Sequence, residues 1–250
     1  MALMRLDKII SQNGRISRRD VKALIKSGAV TCAGLTVKSP DEKYDPEICE
    51  IRLNGNLIEY ERYHYFMMNK PSGYLSATED SRAETVLELV PQQYAHLDLF
   101  PAGRLDKDSE GLLILTDDGA YCHEVISPGK NVYKKYYIET AREICQSDCK
   151  AVAEGIKTRG GADFRPGRLE IITKNTAYMY ICEGKFHQVK RMMEALGNKV
   201  IYLKRIAIGG LELDGALDLG KMRKMTKSEA ELVFGEKAQQ LVHDEQSYTK

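Results

Sequence analysis

Apolar positions near the start of the chain recur at helical spacing. Leu6, Ile9 and Ile10 form one such stripe, and Gly14 follows as a stop signal. Ser17 then offers an N-cap to a second stripe of Val21, Leu24 and Ile25, which Gly28 closes. After Gly28 the pattern shortens to alternation around Ala33-Gly34, and an Asn54-Gly55 dipeptide marks a further turn, so this region predicts short strands and a hairpin. From about residue 62 the texture changes. Strands are expected at "YHYFMMNKP", "GLLILT", "VYKKYYIET", "GRLEIITK" and "TAYMYICEG", and helices at "CQSDCKAVAEGI" and "KFHQVKRMMEALG". Asp118-Gly119 reads as a turn after the apolar run Leu112 to Leu115. The pattern is α+β: a small head over residues 1–60, a larger mixed and mainly antiparallel domain over 61–235, and a polar tail over 236–250.

Composition adds little until it is read locally. The 37 basic and 36 acidic residues nearly cancel, yet residues 1–40 hold eight Lys or Arg against two Asp, a local charge of +6. The next twenty residues carry two basic and six acidic groups. Arg18, Lys22 and Lys26 fall four apart on the second helix, away from its apolar stripe, with Arg19 beside them. With few acidic partners nearby, that row points to a polyanion. Arg5, Asp7 and Lys8 come too early for a signal peptide, and no apolar run reaches membrane-spanning length. The six cysteines include no C-x-x-C pair, and Cys145 with Cys149 makes a poor zinc motif. Free thiols in a cytoplasmic protein are expected.

Residues 103–119, "GRLDKDSEGLLILTDDG", concentrate five acidic groups beside Arg104 and Lys107. Asp106, Asp108, Glu110, Gly111 and Asp117 approach the spacing of an EF-hand loop, but Pro101 and Gly103 would break the helix that must precede one. A polar turn entering a buried strand accounts for Gly111 and Leu112 to Leu115. It leaves Arg104 and Asp106, which would share one side of an extended backbone with Leu105 opposite.

These segments resemble known families. Residues 4–60 are similar to the S4 RNA-binding module, which implies contact with RNA, chiefly through phosphates. "GRLDKDSEGLLILTDDG" resembles the signature of the RsuA-type pseudouridine synthases, which modify single uridines in ribosomal RNA. In order, "NKPSGYLSAT" (69–78), "YKKYYI" (133–138), "EGKFHQVKRMMEALGNKV" (183–200) and "LDLGKMRKMTKSE" resemble that family's further motifs. Ser109 stands where the family usually has Thr, and Lys190 where related synthases most often have Arg.

The resemblance implies a pseudouridine synthase of ribosomal RNA that uses no cofactor and no metal. It gives Asp106 the catalytic role, as nucleophile at ribose C1′ or as base at C2′. A carboxylate kept ionised in a partly dry pocket calls for a nearby cation. Lys190 is the candidate, at the edge of the face shared by Val189, Met192, Met193 and Leu196, with Arg191 turned away from it. Tyr136 aligns with the family's active-site tyrosine. Arg104 is either a structural ion-pair partner or the side chain that fills the gap left by an extruded base. Lys70, Lys134, His187, Gln188 and Arg191 are expected at the substrate RNA, and Arg18, Arg19, Lys22 and Lys26 at its phosphates. Six basic residues against two acidic ones over 183–206 predict a second positive surface. The branch acting on 16S rRNA is the nearest in motif texture, and the expected partner is ribosomal RNA in an assembling small subunit, met by a monomer away from any membrane. The alternatives are a 23S rRNA synthase of the same family and a non-catalytic S4-type RNA-binding or ribosome-assembly protein.

Overall fold

A computed structural model describes residues 3–13, 16–158 and 161–235. Gly14 and the tail 236–250 lie outside the described residues. The chain separates into two compact units, one comprising Met1–Tyr63 with Pro91–Asp98 and the other His64–Val90 with Leu99–Lys250. The units therefore part at Tyr63/His64, where the sequence pattern placed a boundary at residue 60.

In the first unit, helices α1 (Leu6–Asn13) and α2 (Arg18–Lys26) follow a two-residue strand β1 (Met4–Arg5), which pairs with β4 (Lys43–Tyr44). Strands β2 (Val30–Cys32), β3 (Leu35–Thr36), β5 (Ile51–Leu53) and β6 (Asn56–Leu57) form an antiparallel sheet in the order β3-β2-β5-β6. The helix stripes are buried as their spacing requires: Leu6, Ile9, Ile10, Val21 and Ile25 share one core with Val30, Ile51 and Leu53. Ser17 caps α2 by accepting from the Asp20 N–H at 3.2 Å. Ala33-Gly34 and Asn54-Gly55 both take positive φ, as a two-residue hairpin turn demands. Cys32 and Cys49 are joined as a disulfide, their Cα atoms 6.3 Å apart, which corrects the expectation of six free thiols. Pairing of Cys32 with Ile51 across β2 and β5 brings the two cysteines together, a proximity that a 17-residue separation hides in the sequence.

The second unit is built on a nine-stranded sheet. Its main path runs β13 (Arg168–Thr173), β14 (Thr176–Ile181), β10 (Lys134–Thr140), β15 (Val200–Ile208), β9 (Glu110–Thr116), β7 (Tyr65–Lys70) and β17 (Met222–Lys224). Short strands β8 (Phe100–Pro101) and β16 (Leu211–Glu212) add to β9 and β15, and β11 (Ile156–Lys157) pairs separately with β12 (Asp163–Phe164). Every adjacent pair is antiparallel except β15 with β9. The α+β class and the mainly antiparallel sheet are as the sequence pattern implied. Helices α4 (Gln146–Glu154) and α5 (Gln188–Ala195) pack Val152, Val189, Met192 and Met193 into a core with Ile138, Met179 and Leu203. Helices α3 (Gly119–Ile126) and α6 (Lys227–Leu232) contribute Val125 and Ala230 to another, with Met67, Leu112 and Ile114. Among the described residues no helix is long and apolar enough to cross a membrane.

Helix α3 and strand β15 are among the elements that differ from the sequence reading. Asp118 does not close a simple turn. Its Oδ1 accepts from the N–H groups of Ala120 and Tyr121 and so caps α3. Strand β15 was not anticipated, because "YLKR" reads as surface. Its residues alternate all the same, with Leu203, Arg205 and Ala207 buried, and this removes Arg205 from the expected positive surface.

Candidate active site

The parallel pairing of β9 with β15 fixes the site. Gly111 lies opposite Arg205, and Tyr136 of β10 lies opposite the same residue on the other side. Gly111 has φ +102°, and a Cβ there would collide with the Arg205 carbonyl oxygen, so only glycine lets the two strands close. The segment entering β9 at this point carries Asp106. It is a turn rather than a strand, closed by the Ser109 N–H donating to the Asp106 carbonyl at 3.1 Å.

The turn is held by buried groups. Lys70 at the end of β7 is fully buried, and its ammonium donates to the carbonyls of Pro71 (2.9 Å), Asp106 (3.2 Å), Lys107 (3.3 Å) and Ser109 (2.8 Å). Burial is the largest influence on this amine and lowers its pKa to about 8. Ser76 Oγ accepts from the Leu105 N–H and donates to the Leu105 carbonyl, at 3.1 and 3.0 Å. Gly73 N–H reaches the Lys107 carbonyl at 2.7 Å. Arg205 donates from Nε to the Leu112 carbonyl (2.8 Å) and from Nη1 to the Arg104 carbonyl (3.4 Å), one on each side of the turn. The segment after Lys70 is thus the bed of the Asp106 turn. Sequence reasoning missed Ser76 and Arg205, and no local signal marks them, because their partners are main-chain oxygens and amides distant in sequence.

Against this bed, Asp106 is about one-fifth exposed, and its Oδ2 lies 3.1 Å from Lys190 Nζ. Lys190 also donates to Asp108 Oδ1 at 2.5 Å. Burial opposes the Lys190 charge, but its hydrogen bonds to Asp108 and Asp106 outweigh that and raise its pKa above the ordinary lysine value. The same hydrogen bond from Lys190 lowers the pKa of Asp108, which is 70% exposed. His187, the N-cap residue of α5, takes φ +50° and brings Nε2 to 3.6 Å from Asp106 Oδ1. This left-handed backbone costs about 1 kcal/mol in a non-glycine residue. An open cleft with about 370 Å³ of empty space gathers Arg104, Asp106, Tyr136 and His187 over an apolar floor that includes Leu105, Ile181 and Leu203. Tyr136 is buried on the face of β10 that carries Lys134 and Ile138.

Several residues assigned to RNA lie elsewhere. Lys70 and Lys134 are both buried, which overturns that assignment. Lys134 Nζ donates to the Val125 carbonyl at 3.3 Å, and burial lowers its pKa to about 8. Gln188 lines the cleft, but its amide is committed. Nε2 donates to buried Glu183 (3.2 Å) and Oε1 accepts from the Lys185 N–H (3.2 Å), so it shapes the turn before α5. Arg191 places its guanidinium 5.2 Å from the Phe164 ring centroid and donates to the Phe186 carbonyl at 3.5 Å. Arg104 is exposed at the rim, and Arg18, Arg19, Lys22 and Lys26 are exposed along α2.

With a cleft that holds Asp106 and Tyr136, and with Lys190 paired to Asp106, the chain matches known families in both its head and its mixed sheet. The family model described as RNA pseudouridylate synthase matches residues 64–195, and the S4 domain model matches residues 4–47. The chain belongs to the RNA pseudouridylate synthase family. It is 43% identical over 234 residues to an uncharacterized RNA pseudouridine synthase of Bacillus subtilis, covering 92% of this chain and 98% of that one. It is 39% identical over 230 residues to ribosomal small subunit pseudouridine synthase A of Haemophilus influenzae, covering 91% and 98%. The protein of that name from Escherichia coli is 37% identical over 228 residues, covering 90% and 98%. A crystal structure of a pseudouridylate synthase superposes with a TM-score of 0.65 at 38% identity, covering 92% of this chain and 99% of that one.

Proposed function

We propose that this protein converts one uridine of 16S ribosomal RNA to pseudouridine, with Asp106 acting on the ribose. The observation that carries the reading is the Asp106–Lys190 pair, 3.1 Å apart, at a cleft that also holds Tyr136. The reaction breaks the bond from C1′ to uracil N1, turns the base, joins C1′ to C5 and releases the C5 proton while N1 gains one. Atoms and electrons balance without a redox partner. The first step requires an anionic carboxylate at the sugar, which attacks C1′ or removes the C2′ proton. Lys190 supplies the neighbouring positive charge, and its strengthened basicity keeps it protonated at neutral pH. The ring of Tyr136, beside Leu105, Ile181 and Leu203, offers an apolar face to the uracil.

A uridine must leave its stack to reach this carboxylate, and exposed Arg104 at the rim is placed to occupy the space it vacates. The exposed cations of α2 grip phosphates. The choice of 16S rRNA rests on the two relatives named as small-subunit synthases, matched over nearly their full length. The partner in this reading is the RNA of an assembling small subunit, met in the cytoplasm by a monomer.

Mapping pseudouridines in rRNA from cells with and without the protein tests the substrate. One 16S position should disappear, whereas a loss confined to 23S rRNA would move the assignment to the large subunit. Asp106→Asn should abolish product formation and leave RNA binding largely intact. Wild-type protein that binds rRNA but forms no pseudouridine would establish the non-catalytic reading instead. Uridine deuterated at C2′ separates the two chemical roles: slowed turnover assigns Asp106 as base, unchanged turnover as nucleophile.

A further inference from the structure

Phe186 is a large apolar side chain left 74% exposed, and its sequence neighbours Lys185 and His187 both line the cleft. Its ring stacks on His187, with centroids 3.8 Å apart and planes 17° from parallel. His187 in turn reaches to 3.6 Å from the Asp106 carboxylate. A two-ring step therefore leads outward from the reacting centre and ends in an aromatic face open to solvent. The step is built in. Buried Glu183 accepts from Gln188, the Gln188 amide oxygen accepts from the Lys185 N–H, and Arg191 donates to the Phe186 carbonyl. His187 is held in the left-handed region, a conformation that a non-glycine residue rarely adopts without such support.

Lys185, next to the ring in sequence, is exposed even though it pairs with Glu183 at 3.0 Å, and a cation there suits the RNA substrate proposed above more than an apolar partner. When a uridine swings into the cleft, the nucleotide beside it loses a stacking neighbour. Every base has a π-face, and an exposed aromatic is the sequence-tolerant receptor for it.

We propose that the stacked Phe186–His187 pair is a binding platform for the unpaired base next to the modified uridine. The inference rests on the RNA substrate proposed above. It makes the enzyme selective for a target with a single-stranded neighbour, a feature that phosphate contacts alone do not read.

The chain contains no tryptophan, so Phe186→Trp installs a single fluorescent reporter on the platform. Its emission should be quenched on binding a synthetic 16S oligonucleotide spanning the mapped uridine. An abasic nucleotide on one side of that uridine should remove the quench. Phe186→Ala should raise KM for the intact oligonucleotide by roughly 5- to 150-fold, the equivalent of losing one base stack. It should leave kcat nearly unchanged, be rescued by Phe186→Tyr and not by Phe186→Leu, and have no further effect on the abasic substrate. Turnover without quenching, or quenching indifferent to both abasic sites, overturns the platform and leaves the synthase reading intact. Failure of the wild type to modify any rRNA overturns that reading and the platform with it.

Discussion

Lys70 and Lys190 show how differently two lysines serve one carboxylate. Lys190 faces Asp106 through its side chain. Lys70 never touches the carboxylate and instead gathers the main-chain oxygens of the turn that carries it. Replacing it by methionine keeps the length of the side chain and strands those carbonyls in a buried place. Lost pairing of a buried polar group costs about 1–3 kcal/mol. Lys70→Met should therefore lower stability by about 2 kcal/mol in thermal or urea melts. A carboxylate displaced by about 1 Å can lose about 100-fold in rate. Single-turnover measurements should show that fall in the rate of the chemical step, with KM little altered. A folded Lys70→Met protein with wild-type turnover would sink this account. The pairing of Asp106 with Lys190 was expected from the resemblance of their two segments to the family, and helix periodicity agreed by setting Lys190 at the edge of a buried face. The duties of Lys70 and Lys134 were not, since a lysine looks exposed until the distant carbonyls that receive it are known.

At the scale of elements, legibility followed periodicity. Strands β7, β9, β10, β13 and β14 and helices α4 and α5 all stand where apolar spacing put them. Strand β15 escaped because Lys204 and Arg205 interrupt its apolar run, and Arg205 is buried only because its guanidinium finds the Leu112 and Arg104 carbonyls. Helix α3 escaped because Asp-Gly signals a turn as readily as a cap. The last described helix, α6, shows what a cap adds. Thr226 Oγ1 accepts from the Glu229 N–H, and Glu229 accepts from the Thr226 N–H. Arg223 of β17 donates to both Glu229 oxygens and to Asp214. The Arg223 hydrogen bond, first among the causes, holds the Glu229 carboxyl down from 4.5 to about 2. A folded-state value below the unfolded one means stability that is fully present above pH 4.5 and lost as pH falls from there toward 2. Urea melts across that range should show the loss, and Glu229→Gln should flatten it. An equal slope in wild type and variant would show that α6 is not tied in this way.

Over the whole molecule, charge divides the labour that net charge conceals. A net +1 predicts no affinity for RNA, yet α2 presents Arg18, Arg19, Lys22 and Lys26 together on its exposed surface. These residues belong to the first compact unit, whereas the residues that line the cleft belong to the second. They should therefore govern how tightly RNA is held and not how fast a bound uridine is isomerised. Each phosphate contact to a single strand contributes about 0.7 to the slope of log affinity against log salt. Changing all four residues to alanine should then weaken rRNA binding and reduce that slope by about 3. At saturating RNA, kcat should stay at the wild-type value. Because all four are exposed, the melting temperature should hardly move. An unaltered salt slope would mean that the basic row is solvated surface and that RNA is gripped elsewhere. A fall in kcat at saturation would mean that the S4 domain also sets the angle at which the nucleotide enters the cleft. The two measurements separate affinity for RNA from presentation of the uridine.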